Sequence, residues 1–143
     1  MKILLPVDGS HCTKRMLSHL AAHDELLGRG HEYVVFTAIP AIPAIPAYAT
    51  HLLERGTVDG YYREEADKVL APVLAFAAQQ GWTIRALHGH GHAAEVIAAI
   101  AEEERAELIV MGTHGHTSLG NVVLGSVASG VLARSKVPVL LIR

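Results

Sequence analysis

The feature that most limits how this chain can fold is a rhythm. Short, unbroken apolar runs alternate with longer stretches whose apolar residues recur three or four apart. The first run, Ile3-Leu4-Leu5-Pro6-Val7, is closed by Asp8-Gly9-Ser10. Because successive side chains of a strand point to opposite faces, a run apolar at every position suits a strand covered on both sides. Behind it, over residues 12–27, Met16, Leu17, Leu20, Ala21 and Leu27 recur at helical spacing, with Ser10 placed to cap the helix and Gly28 and Gly30 to stop it.

The rhythm continues. Residues 32–39, around Tyr33-Val34-Val35-Phe36-Thr37, read as a second strand. Residues 59–80 read as a helix with Tyr62, Ala66, Val69, Leu70, Val73, Leu74 and Ala77 on one face and a kink at Pro72. A third strand follows over 82–87, a helix over 93–105 with Val96, Ile97 and Ile100 inward, a fourth strand over 108–111, a helix over 126–134 and a last strand over 137–142.

This order predicts one α/β domain over residues 1–143: a doubly wound, five-stranded parallel sheet with helices on both faces. Parallel neighbours cannot be joined by a tight turn, so each helix serves as a right-handed crossover. The expected strand order is 3-2-1-4-5, and in such a sheet ligands collect at the carboxyl ends of the strands where the order reverses. That places Asp8, Gly9 and Ser10 against the turn that begins at Gly112.

Composition narrows the partners. Half of the 143 residues are hydrophobic, 18% are charged and the formal net charge is −2. Disorder and the basic footprint of a nucleic-acid binder are both disfavoured. The single cysteine, Cys12, cannot form an intrachain disulfide, and no run of about twenty apolar residues or signal-peptide core occurs. The expectation is a cytoplasmic protein without nucleic-acid or membrane partners.

The stretch Gly112-Thr113-His114-Gly115 and the later Gly125-Ser126 interrupt the passage from the fourth strand to the last helix. A glycine ending a strand lets the backbone approach a ligand, Gly115 can supply a positive-φ turn, and Gly125 permits close contact at the helix start. Unpaired amides at a helix N-terminus, with the helix dipole and the Ser126 hydroxyl, make an anion site suited to phosphate. A β-branched side chain at Gly125 is expected to crowd the phosphate position. Two phosphate motifs fail: residues 120–126 lack the Walker A lysine, and no G-x-G-x-x-G is present.

What does match is G-x-x-G, nine residues, then G-S: Gly112, Gly115, Gly125, Ser126. This resembles the nucleotide-binding signature of the universal stress protein family. The resemblance extends to ILLPVDGS at residues 3–10, GHAAEVI at 91–97, LIVMGTHG at 108–115 and VPVLLI at 137–142. It implies an ATP-binding module, with Val7, Ala38 and Met111 against the adenine and Asp8 on the ribose or adenine. Gly112, His114, Gly115, Gly125, Ser126 and Val127 would lie along the ribose and phosphates. His116 stands where family members commonly carry arginine or lysine. The resemblance also implies a homodimer formed through the last strand; apart from it, the expectation includes a Mg²⁺ or Mn²⁺ ion bridging the phosphates to offset their charge, and a protein partner that the sequence does not identify.

No lysine grips a phosphate in this loop, so nothing obvious neutralises charge developing in phosphoryl transfer. The reading is therefore nucleotide-dependent interaction rather than fast catalysis. Its alternatives are a slow ATPase or nucleotidyl-transfer enzyme, or a nucleotide-free dimeric scaffold. Two further features have plainer readings. The triplet Ala-Ile-Pro, repeated three times over residues 38–46, suits an extended surface linker better than a docking strip. A turn at Gly89 or Gly91 would scatter His88, His90 and His92, leaving solvated imidazoles rather than a metal site.

Overall fold

The fold comes from a computed structural model in which residues 1–41, 55–115 and 123–143 are described. The elements are β1 (Lys2–Pro6), α1 (His11–Ala22), α2 (Asp24–Leu27), β2 (Glu32–Ile39), α3 (Arg55–Gln80), β3 (Thr83–His90), α4 (Ala93–Glu103), β4 (Leu108–Gly112), α5 (Ser126–Arg134) and β5 (Val139–Ile142). The five strands form one sheet in the order β3-β2-β1-β4-β5, every pair parallel, as the alternation predicts.

The two parities of the apolar runs feed two separate cores. Ile3, Leu5, Tyr33, Val35 and Val110 pack under Met16, Leu17 and Leu20 of α1 and Ala66, Leu70 and Val73 of α3. Leu4, Val34, Phe36, Ile109 and Met111 pack under Ala94, Ile97 and Ala101 of α4 and Ala128 and Val131 of α5. Both layers are needed, because one-sided cover would leave half of each strand's apolar side chains in water.

The boundaries depart from the periodicity where hydrogen bonding decides. The helix expected over 12–27 breaks at His23 (φ −115°, ψ 47°) and resumes as the short α2. There the His23 Nδ1–H donates back to the His19 carbonyl at 2.8 Å. The third strand extends past Leu87, because β2 is long enough to pair Thr37, Ala38 and Ile39 with His88, Gly89 and His90. His88 and His90 are therefore strand residues, and the turn comes at Gly91 (φ 126°), with His92 at the N-cap of α4. α3 begins at Arg55, four residues early, and Pro72 sits inside it without ending it. α4 stops at Glu103, where Arg105 takes a positive φ, and β5 begins only after Pro138.

A proline in a central strand needs a reason, since it removes a ladder donor. At Pro6 the reason lies at the reversal of strand order. The Lys2 carbonyl accepts from Glu107 N at 2.8 Å, on the β4 side, while Val7 N donates to the Phe36 carbonyl at 2.8 Å, on the β2 side. By the period of two, the nitrogen of Pro6 faces β4. The β1–β4 ladder runs only through Leu4↔Ile109, so the missing donor falls where the two strands part. Pro6 thus helps to end the ladder and open the crevice between them.

Candidate functional site

Two turns meet in that crevice. β1 leads through Val7 into Asp8-Gly9-Ser10 and the first turn of α1, and β4 leads through Gly112 into Thr113, His114 and Gly115. Between them and the N-terminus of α5 lies a cavity of about 160 Å³. Val7, Asp8, Ala38, Met111 and Gly112 line it from the sheet side, and His114, Gly115, Gly125, Ser126 and Val127 from the other. These are ten of the eleven residues singled out from the sequence. The eleventh, His116, lies outside the described residues, as does the Ala-Ile-Pro repeat beyond Ala41.

Asp8 is held firmly. Its Oδ1 accepts from Ser10 N at 2.9 Å and from the Thr13 hydroxyl at 3.0 Å, while Asp8 N donates to Thr13 Oγ at 3.2 Å. Gly9, at φ +75°, makes the tight turn between them, in the region that favours glycine. Ser10 occupies the N-cap position of α1 as expected, yet its hydroxyl makes no cap bond and is buried without a partner among the described residues. The Asp8 carboxylate bonds the turn instead.

The glycines act mostly through close approach. A Cβ on Gly112 would stand 3.0 Å from Cys12 Cβ, so α1 packs directly on the end of β4. Gly115 does not take the positive φ expected of it. A Cβ there would stand 2.6 Å from Asp8 Oδ2, so what it spares is the carboxylate across the crevice. A Cβ on Gly125 would meet the Thr113 carbonyl at 3.0 Å and His114 Cα at 3.3 Å. A larger residue would therefore strain the wall of the cradle through these two contacts.

Gly125 is also the N-cap of α5, with Gly125 N donating to the Thr113 carbonyl at 2.7 Å and Ser129 N closing the first helical turn on Gly125 O at 3.0 Å. The amides of Ser126, Val127 and Ala128 have no acceptor within their own helix, and all three residues line the cavity. No lysine or arginine lines it among the described residues, leaving Asp8 and His114 as its carboxylate and imidazole. His114 Nδ1 lies 3.0 Å from Thr113 Oγ1. The inner walls are apolar: Phe36 and Ile97 below, Ala93 and Ala128 beside.

Sequence reading missed several lining residues: Pro6, Cys12, Thr13, Phe36, Ala93, Ile97, Thr113 and Ala128. For Thr13 a signal existed, since a hydroxyl in the first turn of a helix reaches a carboxylate just before that helix. Phe36 and Ile97 carried none, being indistinguishable from other core positions. His88, His90 and His92 form no metal-holding group of three among the described residues, and His90 instead stacks on Tyr62 with ring centroids 4.5 Å apart. No helix among the described residues is long and apolar enough to cross a membrane.

A doubly wound sheet with a glycine-walled cradle at the reversal of strand order defines the class: an α/β domain whose ligand site is built from the ends of its central strands. Within that class, the chain belongs to the universal stress protein family, whose model matches residues 1–143. It is 31% identical over 143 residues to Universal stress protein MJ0531 of Methanocaldococcus jannaschii, covering 99% of this chain and 81% of that one. Among solved structures, it resembles protein MJ0577 with a TM-score of 0.76 and 28% identity, over 99% of this chain and 94% of the other. It also shares the fold of the universal stress protein from Archaeoglobus fulgidus, solved in complex with dAMP, with a TM-score of 0.68 and 21% identity over 100% and 98% of the two chains.

Proposed function

We propose that this protein is a nucleotide-binding regulatory module of the stress response, taking an adenine nucleotide, ATP foremost, in the cradle between β1 and β4. The observation that carries this reading is the convergence of the Asp8 turn, the glycine turn after β4 and the N-terminal amides of α5 on one cavity. An apolar floor formed by Phe36, Ala38, Ile97 and Met111 suits a purine. Asp8 can accept from sugar hydroxyls, and the α5 amides, with the Ser126 hydroxyl, can receive phosphate oxygens. The Archaeoglobus fulgidus relative, solved with dAMP, supports the same class of ligand. At about 160 Å³ the cavity is smaller than pockets that enclose a drug-sized ligand. The purine and ribose would fill it, with further phosphates extending past its mouth.

Fast hydrolysis does not fit this lining. With no lysine or arginine lining the cavity among the described residues, the charge of a triphosphate would be balanced by a divalent ion, Mg²⁺ or Mn²⁺. Occupancy would then be read by a protein partner at the surface of a homodimer, formed through the apolar edge strand β5 in the cytoplasm. Mass spectrometry of ligand released from protein purified without added nucleotide tests the reading. An adenine nucleotide is the expected result. An empty protein that gives no calorimetric heat with ATP, ADP or AMP would point to a nucleotide-free scaffold, and many molar equivalents of ADP formed from ATP would point to an enzyme.

A further inference from the structure

Gly89 does not line the cavity, yet an aromatic ring of the cavity floor rests on it. In the ladder between β2 and β3, Phe36 stands opposite Leu87 and Ala38 opposite Gly89, so Gly89 is the diagonal neighbour of Phe36 on the α4 face. A Cβ on Gly89 would stand 3.2 Å from Phe36 Cζ, 3.4 Å from Phe36 Cε2 and 3.3 Å from Val96 Cγ1. Cζ is the far tip of the ring. The ring therefore leans over β3, the edge strand, and away from the crevice between β1 and β4, into space that a side chain at position 89 would claim. The backbone does not demand this glycine: Gly89 has no positive φ and pairs regularly in the ladder.

We infer that Gly89 is a positioning residue that sets the depth of the base pocket: with no side chain at 89, the Phe36 ring lies back over β3 and the floor stays low enough to select a two-ring base over a single ring. This rests on the nucleotide reading of the cavity given above. Phe36 shares its packing layer with Ile97, Met111 and Ala128, and all four line the cavity. A side chain at 89 would press on the ring from the β3 side, while Val96 of α4 already flanks the same spot. The direction left to the ring is towards β1, into the cavity. Close-packed interiors pass such a displacement on rather than absorb it. Gly89 touches no ligand atom in this scheme and acts only through Phe36.

The test compares AMP with CMP, which differ only in the base, by calorimetry on the full chain in wild type, Gly89→Val and the double variant Gly89→Val/Phe36→Leu. Valine suits a strand, so it probes space rather than backbone. Wild type should prefer AMP by about ten-fold or more, the scale on which an apolar pocket separates ligands by size. Gly89→Val should lose most of that preference, with AMP weakened about ten-fold and CMP nearly unchanged. The double variant should regain it, because the shorter leucine makes room for the valine. A ring laid over an edge-strand glycine also steadies the sheet, but that role alone would weaken both ligands together. An unchanged ratio in Gly89→Val, or no recovery in the double variant, therefore overturns the inference. Should Gly89→Val fail to fold, Gly89→Ala asks the ring to give by only a few tenths of an ångström and should shift the ratio the same way; an unshifted ratio there overturns it equally. Equal binding of AMP and CMP by wild type overturns it while sparing nucleotide binding. No binding of either by wild type removes the nucleotide reading and this inference with it.

Discussion

Replacing Gly115 with alanine asks whether Asp8 and the turn after β4 form one device. The backbone of Gly115 is outside the left-handed region, so alanine brings no conformational strain of its own. What it brings is a methyl group 2.6 Å from Asp8 Oδ2, against an ordinary contact of at least about 3.4 Å. The carboxylate must retreat by roughly 0.8 Å, and since Oδ1 is held by Ser10 N and Thr13 Oγ, the retreat stretches one or both of those bonds. Asp8 is only partly buried, so the lower part of the range for charged hydrogen bonds applies, about 1.5–2 kcal/mol. Calorimetric titration with AMP and ATP should therefore show a loss of roughly ten- to thirty-fold. Thermal unfolding should fall by no more than about 5 °C. The decisive control is the same substitution in an Asp8→Ala background, where the methyl has no carboxylate to displace and Gly115→Ala should change affinity little. Wild-type affinity in the single variant, or an equal loss in both backgrounds, would refute the reasoning.

Gly125→Val should reduce nucleotide affinity at least about ten-fold with an unchanged far-ultraviolet circular dichroism spectrum, because its Cβ presses on the Thr113 carbonyl at 3.0 Å and disturbs the cradle wall; unaltered affinity would contradict the geometry. Burial, with a contribution from the charge of Asp24, pushes the Tyr33 phenol from 10.0 up to about 12. The folded state favours the protonated form, so this part of the stability is complete below pH 10 and is lost as pH rises from about 10 to about 12. Urea midpoints measured across that window should decline less steeply for Tyr33→Phe, which also surrenders the hydroxyl's bonds to the carbonyls of Leu27 and Gly28; parallel declines would remove Tyr33 as the source. Light scattering should give twice the mass of one chain if β5 pairs across a two-fold axis, and a monomer at micromolar concentration would oppose that arrangement.

The fold was legible because it depends on features that sequence carries directly. Apolar runs on both parities, such as Ile3-Leu4-Leu5, can only be strands covered on both faces, and their alternation with amphipathic segments leaves few topologies. The cradle was legible for a related reason, since glycines at fixed spacing report places where backbone must come close. Their physical duties were not legible. Nothing in the sequence tells that Gly115 spares a carboxylate from another turn rather than supplying a positive φ, because that is a contact between residues more than a hundred positions apart. The extension of β3 through His88 and His90 was hidden likewise, being set by the length of β2 rather than by its own apolar pattern. Ser10 holds the N-cap position of α1 without a cap bond, and the Asp8 carboxylate bonds the turn before it, because only the path of the turn decides which side chain reaches a backbone donor.

The central claim is that the two turns leaving β1 and β4 serve one ligand together. Amide chemical-shift mapping during titration with AMP tests it most directly. The account predicts concerted shifts, with one dissociation constant, at Asp8, Thr13, Gly112, His114, Gly115, Ser126 and Val127. Shifts gathered at the opposite ends of the strands, around Lys2, Glu32 and Leu108, or none anywhere at saturating AMP, would contradict it.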